Sequence, residues 1–172
     1  MKVLIAGAGI GGLTTALMLH ARGIPVQIYE TAAEVREAGV GINILPHAIR
    51  ELETLGLLPA LDAVGLRTRR LTYYTRSGQE VWSELRGTYA GHEVPQFSIH
   101  RGRLQHLLYK AVLDRLGPKA VQTGRRLGGF VQDDKGITAH FANSIDGSKG
   151  ITVRGDVLIC CDGIHSAGRK VF

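Results

Sequence analysis

The 172-residue chain has 44% hydrophobic and 21% charged residues, a globular composition that excludes disorder as the default. Its net charge of +6 and pI near 9.6 could suit a polyanion, but the basic residues are dispersed without interleaved aromatics, so we expect no nucleic-acid binding. No apolar run approaches the roughly 20 residues of a membrane span, and the first residues lack a signal-peptide pattern. We therefore expect a cytoplasmic protein without a membrane partner.

The first 30 residues predict a β-α-β unit. Residues 3–6 read as a buried strand, residues 13–21 as a helix closed by Gly23, and residues 25–30 as a second strand. Such a crossover predicts a parallel sheet. A second helix is expected over residues 47–56, ending at a glycine.

The middle and end of the chain predict an antiparallel excursion and further strands. The stretches "RLTYYT" and "QEVWSEL", separated by Ser77-Gly78, indicate a hairpin. Residues 103–117 form the best helical pattern, with an apolar stripe through positions 104, 107, 108, 111 and 112. Strands are expected near 127–132, 137–142 and 151–161. The fold class is therefore α/β.

The opening loop carries the pattern Gly7-x-Gly9-x-x-Gly12 between strand and helix, which is typical of dinucleotide binding. Gly7 permits the tight turn, Gly9 lets a pyrophosphate approach the backbone, and Gly12 lets the helix pack against the strand. Glu30 ends the second strand, where a carboxylate can accept hydrogen bonds from a ribose. The loop alone leaves FAD and NAD open, and the glycines could also serve packing only.

The adjacent Cys160 and Cys161 point to opposite faces of a strand, which disfavours a disulfide between them. We interpret them as buried free thiols in a reducing compartment. The seven histidines are scattered without ligand spacing, so we assign no metal site.

Three ordered motifs resemble the single-component FAD-dependent aromatic hydroxylases, the para-hydroxybenzoate hydroxylase class. They are the glycine loop, the arginine-x-x-leucine helix start in "SIHRGRLQHLL", and the Asp-Gly fingerprint in "DVLICCDGIHSAGRK". The stretches "GVGINILP", "VWSELRG" and "QFSIHRGRLQ" look closest to the phenazine-modifying monooxygenases of that family. The resemblance implies a Rossmann-like FAD-binding domain.

The resemblance implies roles residue by residue. FAD would be held by Gly7, Gly9, Gly12, Glu30, Arg36, Arg101, Asp162 and Gly163, with Ser166 and Arg169 completing the last turn. NAD(P)H would be a transient reductant, and no catalytic side chain is assigned. Simpler alternatives stay open for three of the charged residues: Glu30 as a surface charge, Arg101 as a solvated first-turn residue, and Asp162 as a helix N-cap only.

The chain departs from the family pattern in two ways. Cys160 and Cys161 add bulk where small residues usually precede Asp-Gly, and Gly168 replaces a branched apolar residue, which we expect to loosen the following helix. The chain also stops before the family's second Gly-Asp motif. We interpret residues 1–172 as an FAD-binding domain with partial substrate-domain elements around 68–100, truncated relative to the family.

The expected function is the FAD-binding portion of a monooxygenase that would hydroxylate a small aromatic substrate using NAD(P)H and O2. By itself the chain is expected to be inactive or incomplete, and to self-associate or bind a complementary chain through exposed apolar surface. Two alternatives stay open: a stand-alone FAD-binding module or remnant without catalysis, and an NAD-binding dehydrogenase domain.

Overall fold

A computed structural model describes residues 1–35 and 39–171 of the chain. The strands are β1 Val3–Ala6, β2 Val26–Tyr29, β3 Gly41–Ile44, β4 Leu66–Arg67, β5 Arg70–Tyr74, β6 Glu80–Leu85, β7 Phe97–His100, β8 Val121–Gln122, β9 Arg125–Asp133, β10 Gly136–Asn143, β11 Ile151–Gly155 and β12 Val157–Cys160. The helices are α1 Ile10–His20, α2 Pro46–Thr54, α3 Leu58–Val64 and α4 Arg101–Leu116. Short 3-10 turns cover Gly87–Ala90 and Gly168–Val171.

The chain divides into two compact units. One unit spans Met1–Arg36 and Gln105–Phe172, and the other spans Glu37–Leu104. The first unit contains a parallel sheet in the order β12-β1-β2-β8. Strand β1 is central, because it pairs with β2 on one side and β12 on the other, and all four of its residues are buried. The predicted parallel β-α-β unit is therefore confirmed.

A three-stranded antiparallel sheet in the order β11-β10-β9 completes the first unit. Its inner face packs on the parallel sheet, where the rings of Tyr29 and Phe141 stack with centroids 4.1 Å apart. The shared core consists of Leu4, Ala6, Tyr29, Leu127, Ile137, Ala139 and Phe141.

The second unit contains a three-stranded antiparallel sheet in the order β3-β7-β4 and the predicted hairpin, formed by β5 and β6. Phe97 on β7 is fully buried, as is Leu61 on α3. Helix α4 has its first residues in this unit and the rest, from Gln105, in the first unit; its predicted apolar stripe is buried at Leu104, Leu108 and Val112. None of the described helices is long and apolar enough to cross a membrane.

Several boundaries differ from the sequence-based expectation. Helix α1 begins at Ile10, because the last residues of the glycine loop already form its first turn. The stretch 151–161, expected as one strand, divides at Asp156 into β11 and β12, which belong to different sheets. Helix α3 and strands β3, β4, β7 and β8 were not predicted.

Candidate functional site

The glycine loop after β1 is packed too tightly for side chains at two of the three glycines of its Gly7-x-Gly9-x-x-Gly12 pattern. Gly7 has a φ of +103°, and a Cβ there would collide with the carbonyl oxygen of Cys161 and lie 2.8 Å from its carbonyl carbon. A Cβ on Gly12 would collide with the carbonyl oxygen of Gly7. The backbone of the loop therefore contacts the first turn of α1 and the residue that follows β12. Only glycine fits at positions 7 and 12.

Gly9, by contrast, faces open space. It is the N-cap of α1, and a Cβ there would have no atom within 4 Å. The helix has no side-chain cap and no acidic residue in its first turn, so its first N–H groups lack intrahelical partners. These donors and the positive end of the helix dipole form a seat for an anion in front of Gly9.

Glu30 is fixed beside this loop by backbone donors. Its Oε2 accepts a hydrogen bond from Ala8 N at 2.6 Å, and its Oε1 accepts one from Ala32 N at 2.8 Å. The preceding residue, Tyr29, accepts the Gly7 N–H at 2.7 Å. A carboxylate has about four lone-pair sites, so Glu30 keeps acceptor capacity for two hydroxyl groups.

Asp162 follows β12, and its two carboxylate oxygens differ: one accepts backbone hydrogen bonds and the other has no partner in the described part of the chain. Its Oδ2 accepts the N–H groups of Ala167 at 2.7 Å and Gly168 at 3.3 Å, so the capping role expected as an alternative is present. Its Oδ1 is buried and has no partner among the described residues. Burial raises the pKa of Asp162, but hydrogen bonds from the Ser166 side chain and the 167–168 backbone outweigh this, so the pKa is lowered. The side chain is thus an anion with a free acceptor.

Gly163 also has a conformational reason to be glycine, because its φ is +78°. The turn it starts leads to Ser166, whose hydroxyl accepts the Arg169 N–H at 2.9 Å. Gly7, Gly9, Gly12, Glu30, Asp162 and Gly163 all belong to the first unit, which brings them to the carboxyl ends of β1, β2 and β12.

A cavity of about 220 Å³ lies at the same strand ends. It is lined by Thr31, Arg126, Leu127, Asp162, His165 and Ala167. In the neighbouring Arg125, the Nη1 atom is buried without a partner among the described residues. Both arginines were expected only as dispersed surface charge. Arg126 lines this cavity together with Asp162, and the Arg125 N–H donates to the carbonyl oxygen of Glu30 at 2.7 Å, so both positions depend on contacts between residues that are distant in sequence.

Gln105 is a further residue that sequence reasoning missed. Its Nε2 donates to the carbonyl oxygen of Ala8 at 2.9 Å, which ties α4 to the glycine loop. The available signal was a polar residue next to the apolar stripe of an amphipathic helix. That signal is weak, because exposed polar residues are common beside such stripes.

Two predicted arginines are not among the residues brought together in the first unit. Arg36 lies outside the described residues. Arg101 starts α4 in the second unit, where its N–H donates to the carbonyl oxygen of Val40 at 3.0 Å and its side chain packs along Gly39. A Cβ on Gly39 would lie 3.3 Å from the Arg101 Cβ.

The interpretation of the cysteines as buried is wrong in part. Both are free, but Cys160 is exposed and Cys161 is half-buried. Cys160 ends β12 at the edge of the parallel sheet, where no further strand covers it among the described residues. The loosening of the following helix that we expect from Gly168 stays a prediction, and the segment that follows is a short 3-10 turn, Gly168–Val171. Gly168 is buried, and a Cβ there would collide with the Cys160 sulfur and lie 2.8 Å from the Cys160 Cβ.

The geometry of the first unit fits the diphosphate and ribose of FAD. The seat at Gly9 matches a pyrophosphate, Glu30 has capacity for ribose hydroxyls, and the buried Oδ1 of Asp162 lacks the donor that a ligand hydroxyl would supply.

Comparisons with known proteins agree with this geometry. The chain is 48% identical over 168 residues to phenazine 1,6-dicarboxylic acid hydroxylase of Lysobacter antibioticus, covering 97% of this chain and 41% of that protein. It is 34% identical over 171 residues to aurachin C monooxygenase/isomerase of Stigmatella aurantiaca, covering 98% and 42%. Among solved structures, Klebsiella pneumoniae HpxO complexed with FAD and uric acid matches with a TM-score of 0.77 and 30% identity, covering 97% of this chain and 40% of that one.

The chain thus spans about 41% of the length of the curated relatives it matches. Residues 1–172 match the FAD binding domain family throughout. The predicted resemblance to FAD-dependent aromatic hydroxylases is confirmed, and the chain belongs to the FAD binding domain family.

Proposed function

We propose that this chain forms the FAD-binding part of a flavin-dependent monooxygenase that hydroxylates a small aromatic substrate with NAD(P)H and O2. Phenazine 1,6-dicarboxylic acid hydroxylase and FAD-dependent urate hydroxylase are named for such substrates. The proposed FAD-binding residues are Gly7, Gly9, Gly12, Glu30, Arg36, Arg101, Asp162 and Gly163.

The observation that carries the proposal is the contrast among the three loop glycines. Gly7 and Gly12 are closed by backbone contacts, whereas Gly9 is open on the side of the uncapped helix end. Gly11 is open as well, but it lies inside α1, whereas Gly9 is the N-cap. A pyrophosphate requires a loop whose backbone is closely packed at Gly7 and Gly12 and accessible at Gly9.

Bound FAD would supply the redox chemistry, taking electrons from NAD(P)H and delivering oxygen to the aromatic ring. The residues of this chain would bind and orient it. The first-turn N–H groups of α1 would neutralise the diphosphate, Glu30 would hold the ribose, and Asp162 would accept a hydrogen bond from a cofactor hydroxyl. We assign no side chain as nucleophile.

Two alternatives remain to be separated from this proposal. A stand-alone FAD-binding module would bind FAD equally well, so only turnover of an aromatic by the whole protein distinguishes it. An NAD-binding dehydrogenase domain would use the same loop and Glu30, but the match to the FAD binding domain family favours FAD. Competition between NAD and FAD for the purified chain separates these two.

The first experiment is an FAD titration, followed by gel filtration and the visible spectrum of retained flavin. We expect Gly9→Ala to weaken FAD binding at least about tenfold, because a methyl group would enter the phosphate seat, with little change in Tm. The control is Gly129→Ala, since Gly129 in β9 has an ordinary φ and a methyl group added there would have no atom within 4 Å. A Gly9→Ala chain that binds FAD like the wild type would refute the proposed seat.

We also propose that the chain self-associates or binds a complementary chain. The hairpin of β5 and β6 exposes Tyr73, Tyr74 and Val81, which supports an apolar contact surface. A monomer by light scattering at high concentration would count against self-association. The cytoplasmic location stays a prediction, supported by the two free cysteines.

A further inference from the structure

The side-chain amide of Gln105 holds a backbone carbonyl group in the middle of the glycine loop. Its Nε2 donates to the carbonyl oxygen of Ala8 at 2.9 Å, and both residues belong to the first unit. Ala8 is fully buried, so this carbonyl oxygen would lack water as well as a protein donor if Gln105 were absent. The hydrogen bond therefore satisfies a group that the loop cannot satisfy by itself.

The packing of α4 fixes the direction from which Gln105 reaches the loop. Leu104, Leu108 and Val112 are all buried, so α4 cannot rotate about its axis without exposing them to water. Gln105 directly follows Leu104 and lies one helical turn before Leu108, which places it at the edge of the buried stripe. The half-buried amide is thus presented to the loop by a helix whose orientation is fixed.

The hydrogen bond to Ala8 also sets the direction of the next backbone N–H group. The Ala8 carbonyl and the Gly9 N–H belong to one peptide unit, which is planar and trans, so the two groups point in opposite directions. Because the carbonyl oxygen is held by Gln105, the Gly9 N–H is directed away from Gln105. This N–H has no hydrogen-bond partner among the described residues, and Gly9 has no side chain to cover it. It is therefore available to an anion.

The preceding peptide unit is fixed by a second side chain. Its N–H group, that of Ala8, donates to the Glu30 Oε2 at 2.6 Å. Ala8 is thus held through its N–H by Glu30 and through its carbonyl by Gln105, two residues that are distant in sequence. Neither bond uses the N–H of Gly9, and α1 has no side-chain cap. The two side chains therefore fix the loop without occupying the donors that an anion would need.

From this arrangement we infer that Gln105 is a positioning residue for the FAD diphosphate: acting through the Ala8 carbonyl, it orients the Gly9 N–H toward the phosphate. That the anion is the FAD diphosphate rests on the proposed function. That Gln105 orients Gly9 rests on the hydrogen bond and on the planarity of the peptide. Without the Gln105 donor, the Ala8–Gly9 peptide can rotate, and part of the binding energy of FAD must be used to fix it again.

The test compares the Gln105→Met chain with the wild type in an FAD titration. Methionine keeps the length and helix propensity of glutamine but cannot donate this hydrogen bond. We expect the Kd for FAD to rise about five- to tenfold at a temperature where circular dichroism shows both chains to be folded. At equal concentration, FAD should also raise the Tm of the variant less than that of the wild type. Gln132→Met, at an exposed position of β9, is the matched control and should bind FAD like the wild type.

A second measurement needs no cofactor. In a heteronuclear NMR spectrum of the glycine-labelled chain, the Gly9 signal is identified by its loss in Gly9→Ala. We expect Gln105→Met to shift or broaden this signal more than that of Gly129, whereas a residue that only stabilised α4 would leave the Gly9 signal in place.

An unchanged Gly9 signal, or an unchanged Kd for FAD, in a folded Gln105→Met chain would overturn the inference. If the wild type binds FAD and Gln105→Met binds it equally well, only this inference is wrong. If the wild type binds no FAD but its Gly9 signal responds to Gln105→Met, the proposed flavin function is wrong, while the orientation of Gly9 by Gln105 is confirmed.

Discussion

The Cys160 side chain occupies the space that a side chain at position 168 would need. Substitutions at these two positions should therefore be coupled in their effect on the free energy of unfolding. A methyl group on Gly168 would collide with the Cys160 sulfur and lie 2.8 Å from its Cβ, well inside van der Waals contact. Gly168 is buried at the start of its 3-10 turn, so the methyl group cannot move to solvent. Overpacking of this kind typically costs about 1–3 kcal/mol. We expect Gly168→Ala to lower the free energy of unfolding by about 2 kcal/mol.

The partner substitution should relieve most of this cost. Cys160→Ala removes the exposed sulfur and should cost only about 0.5 kcal/mol by itself, as for most surface changes. The double variant keeps the 2.8 Å approach to the Cβ but loses the collision with sulfur. We therefore expect it to lie about 1 kcal/mol below the wild type, a coupling energy of about 1.5 kcal/mol.

Urea unfolding followed by far-UV circular dichroism measures all three free energies. Gly129→Ala serves as the reference glycine substitution, and we expect it to be neutral or stabilising by up to about 1 kcal/mol, because it only restricts the unfolded chain. If Gly168→Ala costs less than about 0.5 kcal/mol, or if the two substitutions are additive, the sulfur rotates away freely and the packing argument is wrong.

Three further predictions concern the same unit. Burial raises the pKa of the Cys160 and Cys161 thiols, so iodoacetamide should alkylate the native chain at pH 7.5 several-fold more slowly than the urea-unfolded chain, as measured by mass spectrometry; equal rates would contradict this. The lowered pKa of Asp162 means that its stabilising contribution is present above the unfolded value of about 3.9 and is lost as the pH falls through the folded value. Asp162→Asn should therefore flatten the acid side of a Tm-against-pH profile below about pH 4, and a profile parallel to the wild type would refute this. Phe141→Leu should lower the free energy of unfolding by about 1–2 kcal/mol through loss of the stacked pair with Tyr29, whereas an unchanged urea midpoint would show that the stacking contributes nothing.

The parts of the fold that could be predicted correctly are those with local patterns. Strand β1 and helix α1 were predicted because a short apolar run and a 3.6-residue period are visible without the rest of the chain. The hairpin of β5 and β6 was predicted from its turn residues. Strand β3, with the sequence GINI, was missed because it is short, contains glycine and asparagine, and pairs with β7 more than 50 positions away.

The candidate site divides in the same way. The roles of Gly7 and Gly12 follow from spacing, because the loop between a strand and a helix has a known backbone geometry. Two hydrogen bonds could not be predicted: the one from the Ala8 N–H to Glu30 and the one from the Gln105 side chain to the Ala8 carbonyl oxygen. Each depends on how elements that are distant in sequence pack together. The division of residues 151–160 between two sheets was missed for the same reason. The division occurs at Asp156, directly after Gly155, where a Cβ would lie 2.7 Å from the Leu4 side chain.

The position of β1 at the centre of its sheet sets an order of events during synthesis. Its first neighbour, β2, is available early, but its second neighbour is β12, and the backbone N–H of Lys2 bonds to an Asp156 carboxylate 154 residues away. At a translation rate of roughly 5–20 residues per second, one edge of this apolar strand stays unpaired for about 8–30 s. The loop at Gly7 can also contact the Cys161 backbone only after that part of the chain has been synthesised. Nascent chains would thus expose an aggregation-prone edge before they acquire a cofactor seat, which favours chaperone binding ahead of flavin loading.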